Sequence, residues 1–401
     1  MKRPLNDEGL RAGASLTRFV GYRAGAACSA YPTLWEAPVF TERTSVGLDV
    51  HARSVVAAAI DGVTGEVFKQ KLVPASEVVI EWVNQLPGPV AVTYEAGPTG
   101  FGLVRAMVTA GVRCEVAAPS KLTRPAGDRV KTDARDAMLL ARLLRMDEIV
   151  SVRVPSITQE GARDLVRARE DARGDLMRTR HRVSKLLLRH GHVYYGGAAW
   201  TGKHEQWLRS IRFDQAGTRA AYEADLEAVE LTLARRARLD VAIAAMAAES
   251  EFTPVTRRLC CLRGVSTLTG FALAVELGDW TRFTGSSIGA YLGLVPSEHT
   301  SGESRRQGGI TKTGNTHARR LLIEAAWHHK ARYTVGAVMR ARWEQAPSAA
   351  RTRGHLGNQR LNQRWATYSA RGKKHTVANT AIARELAGWC WSLATLNVMA
   401  E

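Results

Sequence analysis

The sequence predicts a mixed α/β domain, then a long helical hairpin, then a mainly helical C-terminal domain. Three observations carry this prediction. Short apolar runs punctuated by turn residues fill 44–97, long charged helical stretches fill 157–190 and 218–248, and apolar helical segments with glycine breaks occupy the region from Thr256 onward. A chain of 401 residues is long enough for two or three domains, each with its own core.

Residues 1–43 have no sustained period and read as a peripheral, poorly ordered extension. From Thr44, SVGLDVH, SVVAAAI and GEVFKQKLV predict three consecutive strands joined by tight turns, one of them at Asp61-Gly62. Residues 77–85 predict a helix, PVAVTYEAG a buried strand, 101–110 a helix, CEVAAP a strand and 134–145 a helix. Three hairpin strands followed by strand–helix alternation make a mixed sheet, which sets the first domain at 44–150.

The segment 157–190 is helical and rich in both charges, with a stripe of Leu165, Met177, Val183, Leu186 and Leu187. Glycines break it at 191–203, and 218–248 predicts a second long helix. The expected unit is an antiparallel hairpin or coiled-coil linker over 151–253, either a dimerisation arm or part of an intramolecular bundle.

In the last region, 254–401, LCCLRGVSTLTGFALAVELGDWTRF reads as helix, glycine turn, helix, an arrangement whose turn can present backbone N–H groups to a phosphate. The stretch YLGLVPSEHTSGESRRQGGITKTGN has a high loop content; 317–343 returns to helix, and 379–396 is a docking helix.

Charge points to the partner. Fifty-six Lys+Arg against 38 Asp+Glu give +18, and 301–375 hold sixteen Lys/Arg against Glu303, Glu324 and Glu344. So uneven a distribution, mostly arginine, favours a nucleic acid over a plain solvated surface. Arg305, Arg306, Lys312, Arg319 and Arg320 are the candidate phosphate contacts. Trp343, Trp365 and Tyr368 interleave with the basic residues and could stack on bases, although helical spacing makes core packing the stronger reading for each. No apolar run is long enough to span a membrane. The acidic and basic residues Asp7, Glu8 and Arg11 interrupt any signal-peptide core, and five cysteines without a C-x-x-C pair favour a reducing compartment. The expected location is cytoplasmic, with the nucleoid.

Four acids stand where a sheet would gather them: Asp49 ends the first strand, Glu95 ends the buried strand, and Asp133 and Asp136 share one face at a helix start. Convergent carboxylates repel unless cations lie between them, so the set predicts a Mg2+ or Mn2+ site able to clamp a phosphodiester.

The order Asp…Glu…Asp-x-x-Asp in such a sheet resembles the RuvC-like (ribonuclease H-like) domain of the DEDD transposases, the insertion-sequence family that performs bridge-RNA-guided recombination. LRGVSTLTGFALAVELGDWTRFTGSSIGAYLGLVP, followed by SGESRRQGGITKTGNTHARRLLIEAAW, is similar to that family's C-terminal transposase domain, and the likeness spans 44–345. The resemblance implies a nucleophilic serine, and Ser301 is the match. The family pattern reads Ser-Ser-Gly-Gly where this chain has Thr300-Ser301-Gly302-Glu303-Ser304, so Ser304 competes for the role. It also implies donor and target DNA, a structured guide RNA, and a dimer-to-tetramer assembly whose active site joins one subunit's carboxylates to another's serine. The chemistry is consistent, since a serine hydroxyl needs its proton removed and Arg305, Arg306 and Lys312 could offset phosphate charge. The competing enzyme class is a metal-dependent Holliday-junction resolvase-like endonuclease that activates water instead.

Overall fold

The computed structural model describes residues 42–123, 132–301 and 304–396, less the side chains of His299, Ser301, Ser304 and Arg305. The extension expected over 1–43 lies almost wholly outside the described residues. The chain divides into two compact units, 1–154 and 155–401.

In the first unit β1 (Thr44–Val50), β2 (Val55–Asp61) and β3 (Val67–Leu72) form an antiparallel meander. After α1 (Ser76–Asn84), β4 (Val90–Glu95) adds parallel to β1; after α2 (Gly102–Thr109), β5 (Arg113–Ala117) adds parallel to β4. The sheet order is β3-β2-β1-β4-β5, and α3 (Asp133–Arg145) closes the unit. This is the mixed sheet expected of a RuvC-like domain.

Alternation along the strands divides the side chains between two faces. Val46 and Leu48 of β1 join Val92 and Tyr94 of β4, together with Val83, Val104 and Met107 from α1 and α2, in one buried cluster. The intervening residues, Ser45, Gly47 and Asp49, therefore face the other way, toward α3. Gly47 makes that approach possible. A Cβ there would come within 2.1 Å of the Ala137 carbonyl and 2.5 Å of the Ala141 nitrogen, so no larger residue fits beneath the helix.

The second unit begins with α4 (Ile157–Arg189), capped by the Ser156 hydroxyl, which accepts from the Gln159 N–H at 3.0 Å. The short α5 (Gly202–Ser210) and long α6 (Ala216–Ala248) follow. Ion pairs Arg169–Asp240 and Arg182–Asp225 pair positions that run in opposite directions, which makes α4 and α6 antiparallel. Val183, Leu186 and Leu187 of the expected stripe are buried against Leu208, Phe213 and Tyr222, but Met177 is exposed. At the base of the hairpin, Val166 and Ile243 pack with Phe252, Phe271 and Val275 from α7 (Thr253–Leu259) and α8 (Thr267–Leu277). Gln159 and Arg163 also donate to the Val275 carbonyl, at 2.8 and 3.2 Å.

After α9 (Ser287–Tyr291), residues 296–310 form a β-hairpin, β6 (Pro296–Ser301) with β7 (Ser304–Ile310), where the sequence reads as loop. Glu298, Arg306 and Gln307 supply no apolar alternation there, so the usual strand signal is missing. The helices α10 (Thr316–Ala326), α11 (Ala337–Glu344), α12 (Ser348–Ala370) and α13 (His375–Ala394) complete the unit. The stretch 317–343, expected as continuous helix, is broken between α10 and α11. The core is built on Leu262, Leu273, Leu322, Leu361, Trp365 and Leu386. Cys114, Cys260, Cys261 and Cys390 are free thiols, and among the described residues no helix is long and apolar enough to cross a membrane.

Candidate active site

The parallel register pairs Gly47 with Thr93 and Leu48 with Tyr94. One step further sets Asp49 beside Glu95, at adjacent C-terminal strand ends and on the α3 face. Both line one cleft of about 940 Å³, together with Ser76 at the start of α1 and the 97–102 turn. Thr132 caps α3 by accepting from the Arg135 N–H, and Asp133 and Asp136 occupy its first turn. Because Gly47 lets α3 lie directly on β1, the first turn of α3 comes over the end of that strand.

The result is a convergence of Asp49, His51 and Asp133, whose ligand atoms all lie within 4.8 Å of one another. His51 Nε2 is 3.1 Å from Asp49 Oδ2 and 3.9 Å from Asp133 Oδ1. Asp133 is open to solvent and Asp49 mostly covered. Glu95 and Asp136 do not join that set; Glu95 is exposed on the shared cleft and Asp136 is half-buried. Two carboxylates and an imidazole with solvent access are a donor set that could hold a divalent cation. Sequence reasoning gave His51 no role. Its signal was its place two residues after Asp49 in LDVH, where the strand ends and side chains become free to converge.

In the second unit Ser301 and Ser304 are register partners at the end of the β6–β7 ladder where the chain turns back. Their side chains, and that of Arg305, lie outside the described residues, as do Gly302 and Glu303. Arg306 and Lys312 are exposed, as phosphate contacts require. Arg319 and Arg320 are corrections. Arg319 is buried, and its Nη1 donates to the carbonyls of Leu292 (3.0 Å) and Thr313 (2.7 Å). Burial lowers its pKa, and it fastens the 311–315 loop instead of reaching solvent. Arg320 pairs with Glu170 and with Glu324, so its charge is already matched. Both sit on α10, whose amphipathic pattern does not tell from sequence alone which arginines point inward. Trp365 is buried in the core, Trp343 donates its Nε1–H to the Cys261 carbonyl at 3.1 Å, and Tyr368 lines a cleft.

The same loop is held by a buried acid that sequence reasoning passed over. Glu276, on α8, has a fully buried side chain. Arg167 Nε and Nη2 donate to its two oxygens at 3.0 Å each, Asn315 Nδ2 lies at 2.7 Å and His317 Nδ1 at 3.1 Å. Burial alone would raise the carboxyl, but the His317, Arg167 and Asn315 hydrogen bonds outweigh it and hold the pKa at about 2. Asn315 is also the N-cap of α10, its Oδ1 accepting from the Ala318 N–H at 2.9 Å. One carboxylate thus ties α4, α8 and the start of α10 together.

Both parts of the chain are similar to known transposases. Residues 46–191 match the model of the DEDD transposases of the IS110 type, and 256–344 match that of the IS116/IS110/IS902 transposases. A Sinorhizobium fredii protein named as a candidate transposase is 39% identical over 355 residues, 87% of this chain and 88% of the relative. The transposase for insertion sequence element IS1533 of Leptospira borgpetersenii is 28% identical over 82% of this chain and 97% of its own length. The transposase for insertion sequence element IS1328 of Yersinia enterocolitica is 38% identical over 71 residues, 18% of this chain.

Proposed function

The chain belongs to the IS116/IS110/IS902 family of insertion-sequence transposases, and from that premise we propose that it cuts and rejoins DNA through a covalent phosphoserine linkage, directed by a structured guide RNA. The observation that carries the catalytic part is the convergence of Asp49, His51 and Asp133 at the C-terminal end of the parallel strands. The serine and the RNA come from the resemblance of the C-terminal sequence to the bridge-RNA-guided recombinases, and the basic character of 301–375 supports a nucleic-acid partner. Assembly as a dimer or tetramer belongs to the same reading.

Asp49 and Asp133 would hold a divalent cation, with Glu95 on the same cleft at the adjacent strand end and Asp136 one turn along α3. The imidazole of His51 suits Mn2+ better than Mg2+. Once bound, the cation supplies charge neutralisation and makes a nearby hydroxyl more acidic. The residues do the rest. Ser301 Oγ, or Ser304 Oγ in its place, forms a bond to phosphorus while the bond from phosphorus to one strand oxygen breaks, and that oxygen leaves as a hydroxyl after taking up a proton. The serine proton passes to a base. Arg306 and Lys312, exposed beside the hairpin, offset the charge that builds on the phosphate oxygens. The ester keeps the energy of the broken bond, so rejoining to a second strand needs no nucleotide hydrolysis.

Denaturing electrophoresis of labelled DNA tests this, using the purified chain with RNA transcribed from the DNA flanking its gene. A covalent adduct is expected in Mn2+ or Mg2+ and lost in EDTA, in Asp49→Ala and in Ser301→Ala. Mass spectrometry that places the adduct on Ser304 would move the nucleophile and keep the mechanism. Cleavage by the Ser301→Ala, Ser304→Ala double variant, with no adduct in the parent, would make the enzyme a hydrolase of the resolvase-like kind. Equal activity without RNA would remove the guide.

A further inference from the structure

A cleft of about 1030 Å³ in the second unit is lined by residues of α12, α13 and β7 and of the 285–289 segment at the start of α9. None of the residues that line it has a role in the chemistry above. We infer that this cleft is a binding site for an unpaired nucleotide, taking its phosphate on Arg384 and Lys373 and its base against the aromatic floor. The inference rests on the proposed function only in taking nucleic acid as the substrate.

Four observations converge on that occupant. The first is charge. Arg353, Lys373 and Arg384 line the cleft and have no carboxylate partner among the described residues. The one acid on its wall, Glu385, is already paired with Arg360 and Arg364, at 3.2 Å each. The cleft therefore keeps a net positive charge suited to phosphate.

The second is the floor. Tyr368, Trp389 and Trp391 line it, with the Arg353 guanidinium 5.4 Å from the Trp389 ring centroid and the Lys373 ammonium 4.6 Å from that of Tyr368. Rings interleaved with cations are the surface on which an unstacked base gains stacking and cation–π energy together, whereas a base inside a duplex offers no free face.

The third is space held open by glycine. Gly309 lies in β7, its backbone dihedrals need no glycine, and a Cβ built on it meets nothing within 4 Å. Glycine inside a strand weakens that strand, so its presence beside a cleft fits a wall that another molecule approaches closely. Gly289 lets the Arg384 stem pack against its backbone, where a Cβ would fall 3.0 Å from Cγ.

The fourth is position. β7 runs directly from Ser304 through Arg306 into the cleft wall at 307–310, so a strand held at the hairpin end has a continuous path to it.

The test measures binding of short labelled oligouridylate and oligothymidylate to the full chain, with a duplex of equal length as control. Single strands are expected to bind more tightly than duplex. Arg384→Ala with Lys373→Ala should weaken single-strand binding about tenfold, the loss of two phosphate contacts, and flatten its salt slope by about 1.4. Gly309→Leu should weaken binding by a similar factor with no change in charge, because it fills the cleft. Circular dichroism and melting confirm that the variants fold. Tighter binding of the uridylate would assign the cleft to RNA, and of the thymidylate to a displaced DNA strand; either supports the site. Parent-like binding by both variants would overturn it while leaving nucleic-acid recognition elsewhere on the chain intact. Equal displacement by polyglutamate would also overturn it, since an acidic peptide needs charge but no base. Failure of the parent to bind any nucleic acid would sink the proposed function as well.

Discussion

Replacing Glu276 by Gln preserves the shape of the side chain and removes one charge from a fully buried site. In the folded chain this carboxyl titrates at about 2, against an ordinary value of 4.5. A difference of roughly 2.5 pKa units is worth about 3 kcal/mol, the extra stability the charged form gives the fold near neutral pH. The sign follows from the direction of the shift. A depressed carboxyl contributes its full stability above 4.5 and loses it as pH falls from there toward about 2. Gln also turns one acceptor into a donor that points at the Arg167 fork or at Asn315, so the loss at pH 7 should reach at least that size. The assay is urea unfolding followed by tryptophan fluorescence, which reports mainly on the second unit because eight of the ten tryptophans lie there. Glu276→Gln should be about 3 kcal/mol less stable than the parent at pH 7, and the gap should shrink markedly by pH 3. A loss below about 1 kcal/mol at pH 7, or one that does not change with pH, would show that the network is not held by charge and would refute the reasoning.

Two further outcomes follow from the geometry. Gly47→Ala keeps every acid but forces α3 off β1, since its Cβ would fall 2.1 Å from the Ala137 carbonyl; calorimetry should find Mn2+ binding lost together with about 3 kcal/mol of stability, and retained Mn2+ affinity would mean that α3 does not place Asp133. His329 is buried, which lowers its pKa to about 4 with help from the nearby Arg263 charge; a neutral imidazole of this kind costs stability as pH falls from 6.5 toward 4, so the parent should lose about 2 kcal/mol between pH 7.5 and pH 5 that His329→Leu does not lose, as read by urea midpoints at both pH values.

The first unit was the legible one, and the reason is physical. The central strands β1, β2 and β4 are buried along most of their length, so they appear as short apolar runs ended by turn residues, and their positions could be read within a residue or two. The same regularity made Asp49 and Glu95 conspicuous, because a charge at the end of an apolar strand has few reasons to be there. His51 escaped notice because a histidine just past a strand end is chemically ordinary until the fold brings Asp133 beside it, and that approach depends on Gly47, whose importance lies in a side chain it lacks.

The second unit was legible only in part. Long amphipathic helices announced α4 and α6, but the β6–β7 hairpin carries polar residues on both strands and left no period to read. Charge was the least reliable guide at the level of single residues. Arg319 and Arg320 are adjacent members of the same basic stretch as Arg306, yet one is spent on two backbone carbonyls and the other on Glu170 and Glu324. An arginine whose guanidinium a carboxylate or carbonyl has already claimed is less available to a phosphate, and two of these claims, from Glu170 in α4 and from the Leu292 carbonyl, come from far away in sequence. Net charge therefore points to the class of partner, and on the reading proposed above the residues that meet it are the exposed Arg306 and Lys312 and the cleft's Arg384 and Lys373.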